Sequence, residues 1–513
     1  METELQTEPT GAASPTHILV RWLFLRGLGF VYFVAFASFF VQALGLIGSH
    51  GILPAHLFLK QAGESAGAMP FLSCPTLFWF DCSDSAVRLL AGCGILFSLF
   101  VMLGVCTGPF LICLWLMYLS IVTVGGDFMS FQWDVLLLET GFLANFFSHY
   151  KLLDVPAGLA GNAAKCTEPS IIVLWLLRIL LFKLMLSSGA VKLLSGDVAW
   201  HNLSALHYHY WTQPLPTPLG WCAAQLPDWY QKACVAIMFF IELVVPFFIF
   251  VPGKLRLSAA FLTALLQVLI LLTGNYTFFN LLTLLLCLTL LDDKTILKIK
   301  FQPFSNFARK IIDHCRINKS GKFEKGKAIV LAIFIATLTI GRNFSFAPDS
   351  VKTFSYLMSP WCISNGYGLF AVMTTTRKEI IVEASQDGVK WEPYKFLFKP
   401  GDVDRAPPWV APYQPRLDWQ MWFAALGTRR DSPWFSHLVL RLLQNSEDVK
   451  ALLLSEPFGG KAPKFVRASL YDYQFTNFAE LTKSGAWWKR QYEGTFFPEA
   501  SLREPEEASP PSP

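Results

Sequence analysis

Residues Phe131 to Asn145 read FQWDVLLLETGFLAN, and this stretch decides the fold class. It is apolar enough for a membrane helix, yet it contains Gln132, Asp134, Glu139 and Asn145. At about 100° per residue, Gln132 and Glu139 share one face, while Asp134 and Asn145 share another roughly 140° away. We therefore expect protein or a wet cavity on most sides of this helix. Ionisable groups at this depth are costly and indicate a functional site, unless they simply hydrogen-bond neighbouring helices.

The composition indicates an integral membrane protein. The chain has 513 residues, of which 53% are hydrophobic and 15% are charged, whereas a soluble domain carries about 25% charged residues. The net charge of +5 is modest. Neither a basic run interleaved with aromatic residues nor a glycine-rich phosphate loop occurs in the sequence. We therefore predict the lipid bilayer as surroundings, no nucleic-acid partner and no cofactor.

The cysteine pattern favours neither zinc nor redox chemistry. Eleven cysteines are present and none forms a CxxC pair. Most lie in apolar segments, where a thiol behaves as a small hydrophobic group. Cys74 and Cys82, which share one loop, are the best candidates for a disulfide.

Apolar runs long enough to cross about 30 Å of hydrocarbon predict a polytopic helical membrane domain over residues 20–344. The nine predicted spans are approximately 20–47, 86–105, 109–124, 131–149, 169–194, 233–252, 257–273, 275–291 and 326–343. The polar N-terminus, residues 1–19, is predicted to be disordered and cytoplasmic. The Pro/Glu/Ser-rich residues 498–513 are predicted to be a disordered tail.

Charge sets the orientation of these spans. The connection from Asp292 to Lys327 holds ten Lys or Arg residues against four acids. By the positive-inside rule, this connection is cytoplasmic. Counting spans in both directions, the N-terminus is cytoplasmic and everything after residue 344 lies on the other side.

Residues 345–497 change character and predict a mixed, β-rich extracytoplasmic domain. Residues 369–376, 379–384 and 464–476 have strand-like patterns, and Asp387-Gly388 is a hairpin signal. Residues 417–426 and 434–445 have helical period. About 150 residues are enough for a separate core.

Polar residues of the membrane domain collect towards its extracytoplasmic side and predict an intramembrane polar cluster. Lys192 in this set is either a desolvated base or a lysine that snorkels to the interface. The predicted cluster comprises Gln132, Asp134, Glu139, Lys192, Asn275 and Asn280.

Three histidines in the loop after residue 194 raise a metal hypothesis, because imidazole is the commonest metal ligand. They are His201, His207 and His209, and Asp197 is the accompanying carboxylate. The alternative is an aromatic-rich loop at the membrane surface. We favour this alternative and predict no metal site.

The distal domain contains a rigid, tryptophan-rich region that predicts a surface for binding other proteins. Large aromatic residues beside arginine are typical of binding hot spots, although they also occur in cores. No G-x-S-x-G or HExxH motif is present, so no catalytic residue is predicted. The predicted client-binding residues are Asp402, Arg405, Arg416, Asp418, Trp419 and Trp422.

Four long motifs resemble the lipase maturation factor family. They are FQWDVLLLETGFLA, GNYTFFNLLTLLLC, WEPYKFLFKPGDVDRAPPWVAPYQPRLDWQMWFAAL and WWKRQYEGTFFP, and the resemblance extends from about residue 20 to 497. It implies a multispanning membrane protein that helps client lipases fold and assemble into active dimers after translocation. Because no catalytic set is found, we predict that this factor is not an enzyme. In animal members this happens in the endoplasmic reticulum, with the distal domain in the lumen. Bacterial proteins similar to the family would place that domain in the periplasm, with the chain in the inner membrane.

A weaker resemblance connects the membrane domain to the vitamin K-dependent carboxylase type. In that type, a Lys-Lys pair precedes an Asp and a Trp, and one lysine is the base. Residues 191–200 keep Lys192 but have Leu193 where the second lysine would stand. The rival hypothesis is therefore a membrane enzyme or small-molecule carrier, which requires Asp134, Glu139, Lys192 and Asn275 to line one cavity.

Overall fold

A computed structural model describes residues 16–65, 70–153, 164–298, 306, 309, 315–318 and 321–502. The first 15 residues, most of the basic connection after residue 298 and residues 503–513 lie outside the described residues. The disorder predicted for both termini therefore remains a prediction. At the C-terminal end, however, the last strand runs to Ala500, slightly beyond the predicted boundary at residue 497.

Helices dominate the described residues up to 343, which also include two short strands. In chain order the elements are α1 (Ile18–Phe40), α2 (Ala43–Ile47), α3 (Ala55–Ser65), α4 (Pro70–Ser73), α5 (Asp84–Leu103), α6 (Thr107–Val124), α7 (Gln132–Phe147), β1 (Ala164–Thr167), α8 (Ile171–Leu194), α9 (Val198–His201), α10 (Ala205–Thr212), α11 (Pro218–Ala224), α12 (Asp228–Phe239), α13 (Lys254–Thr273), α14 (Phe279–Leu288), α15 (Asp293–Leu297), β2 (Cys315–Asn318) and α16 (Lys322–Asn343).

The predicted spans coincide with these helices. Among the described residues, six helices are long and apolar enough to cross a membrane: α1, α5, α6, α8, α13 and the helical stretch Asp228–Phe250. That stretch begins as α12 and continues through a π turn at Phe240–Val244. The three remaining predicted spans fall on α7, α14 and α16. The predicted class, a polytopic helical membrane protein, is confirmed.

The helix ends that were predicted to be cytoplasmic lie together. The Asp293 carboxylate accepts hydrogen bonds from the backbone N–H groups of Ile18, Leu19 and Val20 at the start of α1. An acidic group suits this position because it meets the unpaired N–H groups and positive dipole of a helix N-terminus. Strand β1, in the connection between α7 and α8, pairs in parallel with β2, in the predicted cytoplasmic connection before α16.

Residues 345–502 form a strand-rich domain at the opposite end of the helices. Its elements are α17 (Asp349–Leu357), β3 (Arg377–Ser385), β4 (Glu392–Pro393), β5 (Lys395–Phe396), α18 (Arg416–Leu426), α19 (Pro433–Leu443), α20 (Glu447–Lys450), β6 (Leu453–Ser455), β7 (Phe465–Phe475), α21 (Phe478–Ser484) and β8 (Trp488–Ala500). The main sheet is antiparallel with the order β4-β3-β7-β8, and β5 pairs with β6.

Most secondary-structure predictions for this domain are confirmed, and one is wrong. The predicted strands at 379–384 and 464–476 are β3 and β7, and the predicted helices are α18 and α19. Residues 369–376 form no strand, because this segment bonds to the connection after α8 rather than to the sheet. The Trp200 indole donates to the Phe370 carbonyl, and the Met373 N–H donates to the Asp197 carboxylate.

The two parts of the chain share one hydrophobic core. Buried side chains of α1, α6, α7 and α8 belong to the same contiguous cluster as those of β3, α18 and α19. Trp419 of α18 lies edge-on to Trp133 of α7, with 4.7 Å between ring centroids. In the loop before α5, Cys74 and Cys82 are free thiols, so the candidate disulfide is not formed.

Candidate functional site: a polar docking interface

Four of the six side chains of the predicted polar cluster bond to the C-terminal domain. They are Gln132, Asp134 and Glu139 of α7, and Asn275 just before α14; we call them and their partners the docking interface. Gln132 makes a reciprocal pair of amide hydrogen bonds with the backbone of Gly368, each 3.0 Å long. The other three reach separate parts of the domain.

Asp134 and Arg416 form a fully buried ion pair. Both side chains have no exposed surface. The two guanidinium nitrogens Nη1 and Nη2 donate to the two carboxylate oxygens, each at 3.0 Å. The Tyr118 hydroxyl donates to Oδ1 at 2.5 Å, and Nη1 also donates to the Phe128 carbonyl at 2.7 Å. This bidentate geometry compensates the desolvation of both charges and fixes the orientation of α18.

Glu139 lies deeper in α7 and receives a segment of the distal domain. Lys183 of α8 donates to Oε1 at 2.5 Å. Oε2 accepts from the backbone and the side chain of Asn365, at 2.9 and 3.1 Å, and from the Tyr367 hydroxyl at 2.7 Å. The carboxylate is 3% exposed. The segment around Asn365 thus enters the helical body and is held there by charge-assisted bonds.

The Asn275 side chain hydrogen-bonds several backbone groups of a proline-rich loop. Its amide nitrogen donates to the Pro408 carbonyl at 2.9 Å, and its oxygen accepts from the N–H groups of Val410 and Ala411 at 2.8 and 3.0 Å. The same nitrogen lies 3.1 Å from the Leu215 carbonyl. An amide with two donors and two acceptor lone pairs suits this position, since buried backbone groups need partners.

The rest of the predicted polar cluster lies elsewhere. Lys192 donates to Glu242 at 2.7 Å, and both side chains are almost completely buried. Asn280 donates to Gln267 at 2.8 Å. The prediction that all these residues form one cluster is therefore corrected, because each has a separate partner. The single cavity that a membrane enzyme or carrier requires is not formed by Asp134, Glu139, Lys192 and Asn275.

Four of the six predicted client-binding residues are buried, so their prediction as a binding surface is corrected. They are Arg416, Asp418, Trp419 and Trp422. Asp418 accepts hydrogen bonds from the N–H groups of Phe398 and Lys399, each at 2.8 Å, and burial raises its pKa. The Trp422 indole donates to the Thr212 carbonyl at 2.8 Å. The aromatic and charged pattern that resembled a hot spot is the core of the docking interface.

The other two predicted client-binding residues lie on an accessible loop. Asp402 is about half exposed, with 47% of its side-chain surface accessible, and pairs with Lys395 at 2.6 Å. Arg405 is partly buried and donates to the carbonyls of Phe396, at 2.8 Å, and Leu397. Trp409 at the end of this loop is 53% exposed. We call residues 402–409 the exposed loop.

The three loop histidines have separate partners. His201 lies 3.0 Å from the Leu193 carbonyl, and His207 pairs with Asp228 at 2.6 Å. His209 Nε2 lies 2.9 Å from the Tyr276 hydroxyl. Within the part of the chain that the structure describes, no group of three His, Cys, Asp or Glu side chains could hold a metal. Burial, reinforced by Lys192, lowers the pKa of His209 to about 4.

Sequence reasoning missed a second buried charge network. Arg377 at the start of β3 is 1% exposed and donates to the Trp211 and Pro214 carbonyls at 2.8 and 2.9 Å. It also pairs with Glu379 at 2.7 Å, and Lys399 pairs with the other Glu379 oxygen at 2.8 Å. In the sequence, this strand start resembles a solvent-exposed strand end, since it reads Arg377, Lys378, Glu379. No local pattern therefore indicates that Arg377 and Glu379 are buried.

The fold and the docking interface define a class: a polytopic helical membrane protein whose helices carry a strand-rich domain at one end. The family described as "Lipase maturation factor transmembrane domain" matches residues 19–298, and the "Lipase maturation factor C-terminal domain" matches residues 363–498. The chain belongs to the lipase maturation factor family.

Named relatives match nearly the whole chain. It is 36% identical to lipase maturation factor 2 of Homo sapiens, over 95% of this chain and 83% of the relative. It is 34% identical to lipase maturation factor 1 of Mus musculus, over 98% of this chain and 91% of the relative. No solved structure matches. The comparisons do not favour the rival of a membrane enzyme or carrier.

Proposed function

We propose that this chain is a membrane-anchored factor that helps lipases fold and assemble after translocation. Its membership of the lipase maturation factor family, over both its membrane and C-terminal parts, carries the proposal. The relatives are named for lipase maturation. The positive-inside charge pattern supports an extracytoplasmic C-terminal domain, and the animal relatives support the endoplasmic reticulum membrane as the location.

The exposed loop is the surface that we assign to the client. Trp409 presents an aromatic side chain to solvent, while the adjacent residue Val410 is fixed to Asn275. Arg405 is bonded to two carbonyls of the same domain, which holds the loop in one conformation. A rigid, exposed aromatic anchor is typical of protein-binding hot spots, since little entropy is lost on binding.

We infer that the factor acts by binding rather than by catalysis. The buried carboxylates of the docking interface, Asp134 and Glu139, are each bonded to cations and hydroxyls within the chain. Such groups hold the domain in place and are not poised for proton transfer to a substrate. A binder of this kind should co-purify with its lipase in a defined ratio.

The test uses animal cells that lack endogenous family members and express a secreted lipase. The measured quantity is lipase activity per mass of secreted lipase. We expect the wild-type chain to raise it, and W409A to lower that gain several-fold with unchanged factor abundance. Y492A is the matched control, because Tyr492 on β8 is exposed to a similar degree, 57%.

The outcomes separate the two parts of the proposal. A wild-type chain that leaves the specific activity of the lipase unchanged would contradict the function. A W409A variant that matches the wild type would remove the exposed loop from the client surface, while the function itself would stand.

A further inference from the structure

One surface asparagine on the same end as the C-terminal domain lies in a glycosylation motif. Asn202-Leu203-Ser204 follows the pattern N-x-S/T, the acceptor sequence for N-linked glycans on secretory-pathway surfaces. Asn202 is exposed, in the connection between α9 and α10. We propose that Asn202 is an N-glycosylation acceptor. The inference rests on the extracytoplasmic orientation given above, and it does not depend on the client.

The local geometry presents this asparagine for modification. Its amide oxygen accepts from the Ser204 N–H at 3.0 Å and from the Ser204 hydroxyl at 2.6 Å. Both contacts use the oxygen and not the nitrogen that would carry the sugar. Asx turns of this kind form locally from the side chain and the backbone two residues on, so they do not require the rest of the fold.

The surroundings have room for the first sugar. A surface depression of about 380 Å³ adjoins the acceptor and is lined by Asn202, Ser204, His207, Tyr208, Asp228 and Lys232. Asp228 pairs there with His207 at 2.6 Å and with Lys232 at 3.0 Å. Side chains of this polarity suit the hydroxyl and acetamido groups of a sugar.

The reaction needs a lipid-pyrophosphate-linked oligosaccharide as co-substrate. The Asn202 amide nitrogen forms a bond to the anomeric carbon of the first sugar, and the bond from that carbon to the pyrophosphate oxygen breaks. The lipid pyrophosphate leaves with the bonding electron pair. The amide nitrogen releases one proton.

Three further motifs of the same pattern serve as internal controls. Asn275 lies on the same end but is 2% exposed and bonded within the docking interface. Asn343 is the last residue of α16, and its amide nitrogen donates to the Thr339 carbonyl at 2.9 Å. Asn318 ends β2, at the opposite end of the helices.

The experiment expresses the full chain in cultured animal cells and digests it with a peptide-N-glycosidase before electrophoresis. We expect the wild type to lose the mass of one glycan. N202Q and S204A should show no such shift, while S204T should keep it, because threonine retains the hydroxyl. N343Q should keep the shift. S204A and S204T keep the test informative if N202Q folds poorly.

Several results would overturn the inference. An unshifted wild type, or a shift that persists in N202Q, removes the assignment. Loss of the shift in N343Q alone would move the glycan to Asn343 and keep the orientation. Loss in N318Q alone would reverse the orientation as well. None of these results affects the lipase assay, so failure of this site and failure of the proposed function are distinguishable.

Discussion

Removing Arg416 should uncouple the C-terminal domain from the membrane helices. In R416M, the Asp134 carboxylate keeps the Tyr118 hydroxyl but loses both guanidinium bonds, each 3.0 Å long. The Phe128 carbonyl also loses its donor. Because both charged groups are fully buried, breaking the pair should cost about 3–5 kcal/mol of stability.

A double-mutant cycle separates the ion pair from general damage. D134L leaves the Arg416 guanidinium buried and unpaired, so it should also be strongly destabilised. The double variant, D134L with R416M, replaces both charges by apolar groups of similar volume. It should therefore lose much less than the sum of the two single changes.

Thermal unfolding of the detergent-solubilised protein measures stability, and amide hydrogen exchange across residues 416–426 reports whether α18 stays docked. K395A is the control, because Lys395 and Asp402 form a pair that is about half exposed and should contribute less than about 1 kcal/mol. Strictly additive losses in the cycle, or unchanged exchange in R416M, would refute the docking role of this pair.

Three other changes test neighbouring parts of the structure. N275A removes the hydrogen-bond partner of the Pro408 carbonyl and of the Val410 and Ala411 N–H groups, so thermal unfolding should reveal a loss of about 1–3 kcal/mol for each group that stays buried and unsatisfied. G45A would bring a Cβ within 2.4 Å of the Asp448 carbonyl; we expect faster hydrogen exchange in α20, and an unchanged rate would contradict this contact. Burial lowers the pKa of His209 to about 4 from its ordinary 6.5. Between pH 4 and pH 6.5, the His209 side chain is therefore protonated in the unfolded state and neutral in the folded state. Stability should therefore fall as pH drops from 6.5 towards 4, by at most about 1.4 kcal/mol per pH unit, and pH-dependent melting of H209Q should lack this component.

Local patterns predicted much of the fold. Hydropathy located every predicted span on a helix, because burial in lipid requires long apolar runs whatever the tertiary contacts. Alternating residues located β3 and β7, since one face of each strand packs against the core. The segment 369–376 escaped this reasoning because its backbone partners are Asp197 and Trp200, which lie in the connection after α8 and are distant in sequence.

The site was less predictable because its contacts are distant in sequence. Asp134 and Arg416 were both singled out, but 282 positions separate them. Nothing in either local sequence indicates the other as a partner. The tryptophans of α18 were equally ambiguous, since the same residue types make binding hot spots and buried cores. Burial decides between these roles, and it depends on the docked domain.

Polar residues of the membrane helices bond to the C-terminal domain both near the helix ends that face it and, at Glu139, deeper in α7. Gln132, Asp134 and Asn275 lie near the helix ends that face the C-terminal domain, and each bonds to that domain. Asn145, at the other end of α7, bonds only to the Gly141 carbonyl of its own helix among the described contacts. An ionisable group in a membrane span is expensive unless something compensates it. Here the counter-charge for Asp134 is Arg416 of the C-terminal domain, so the buried carboxylate has its ion-pair partner only when that domain is docked against α7.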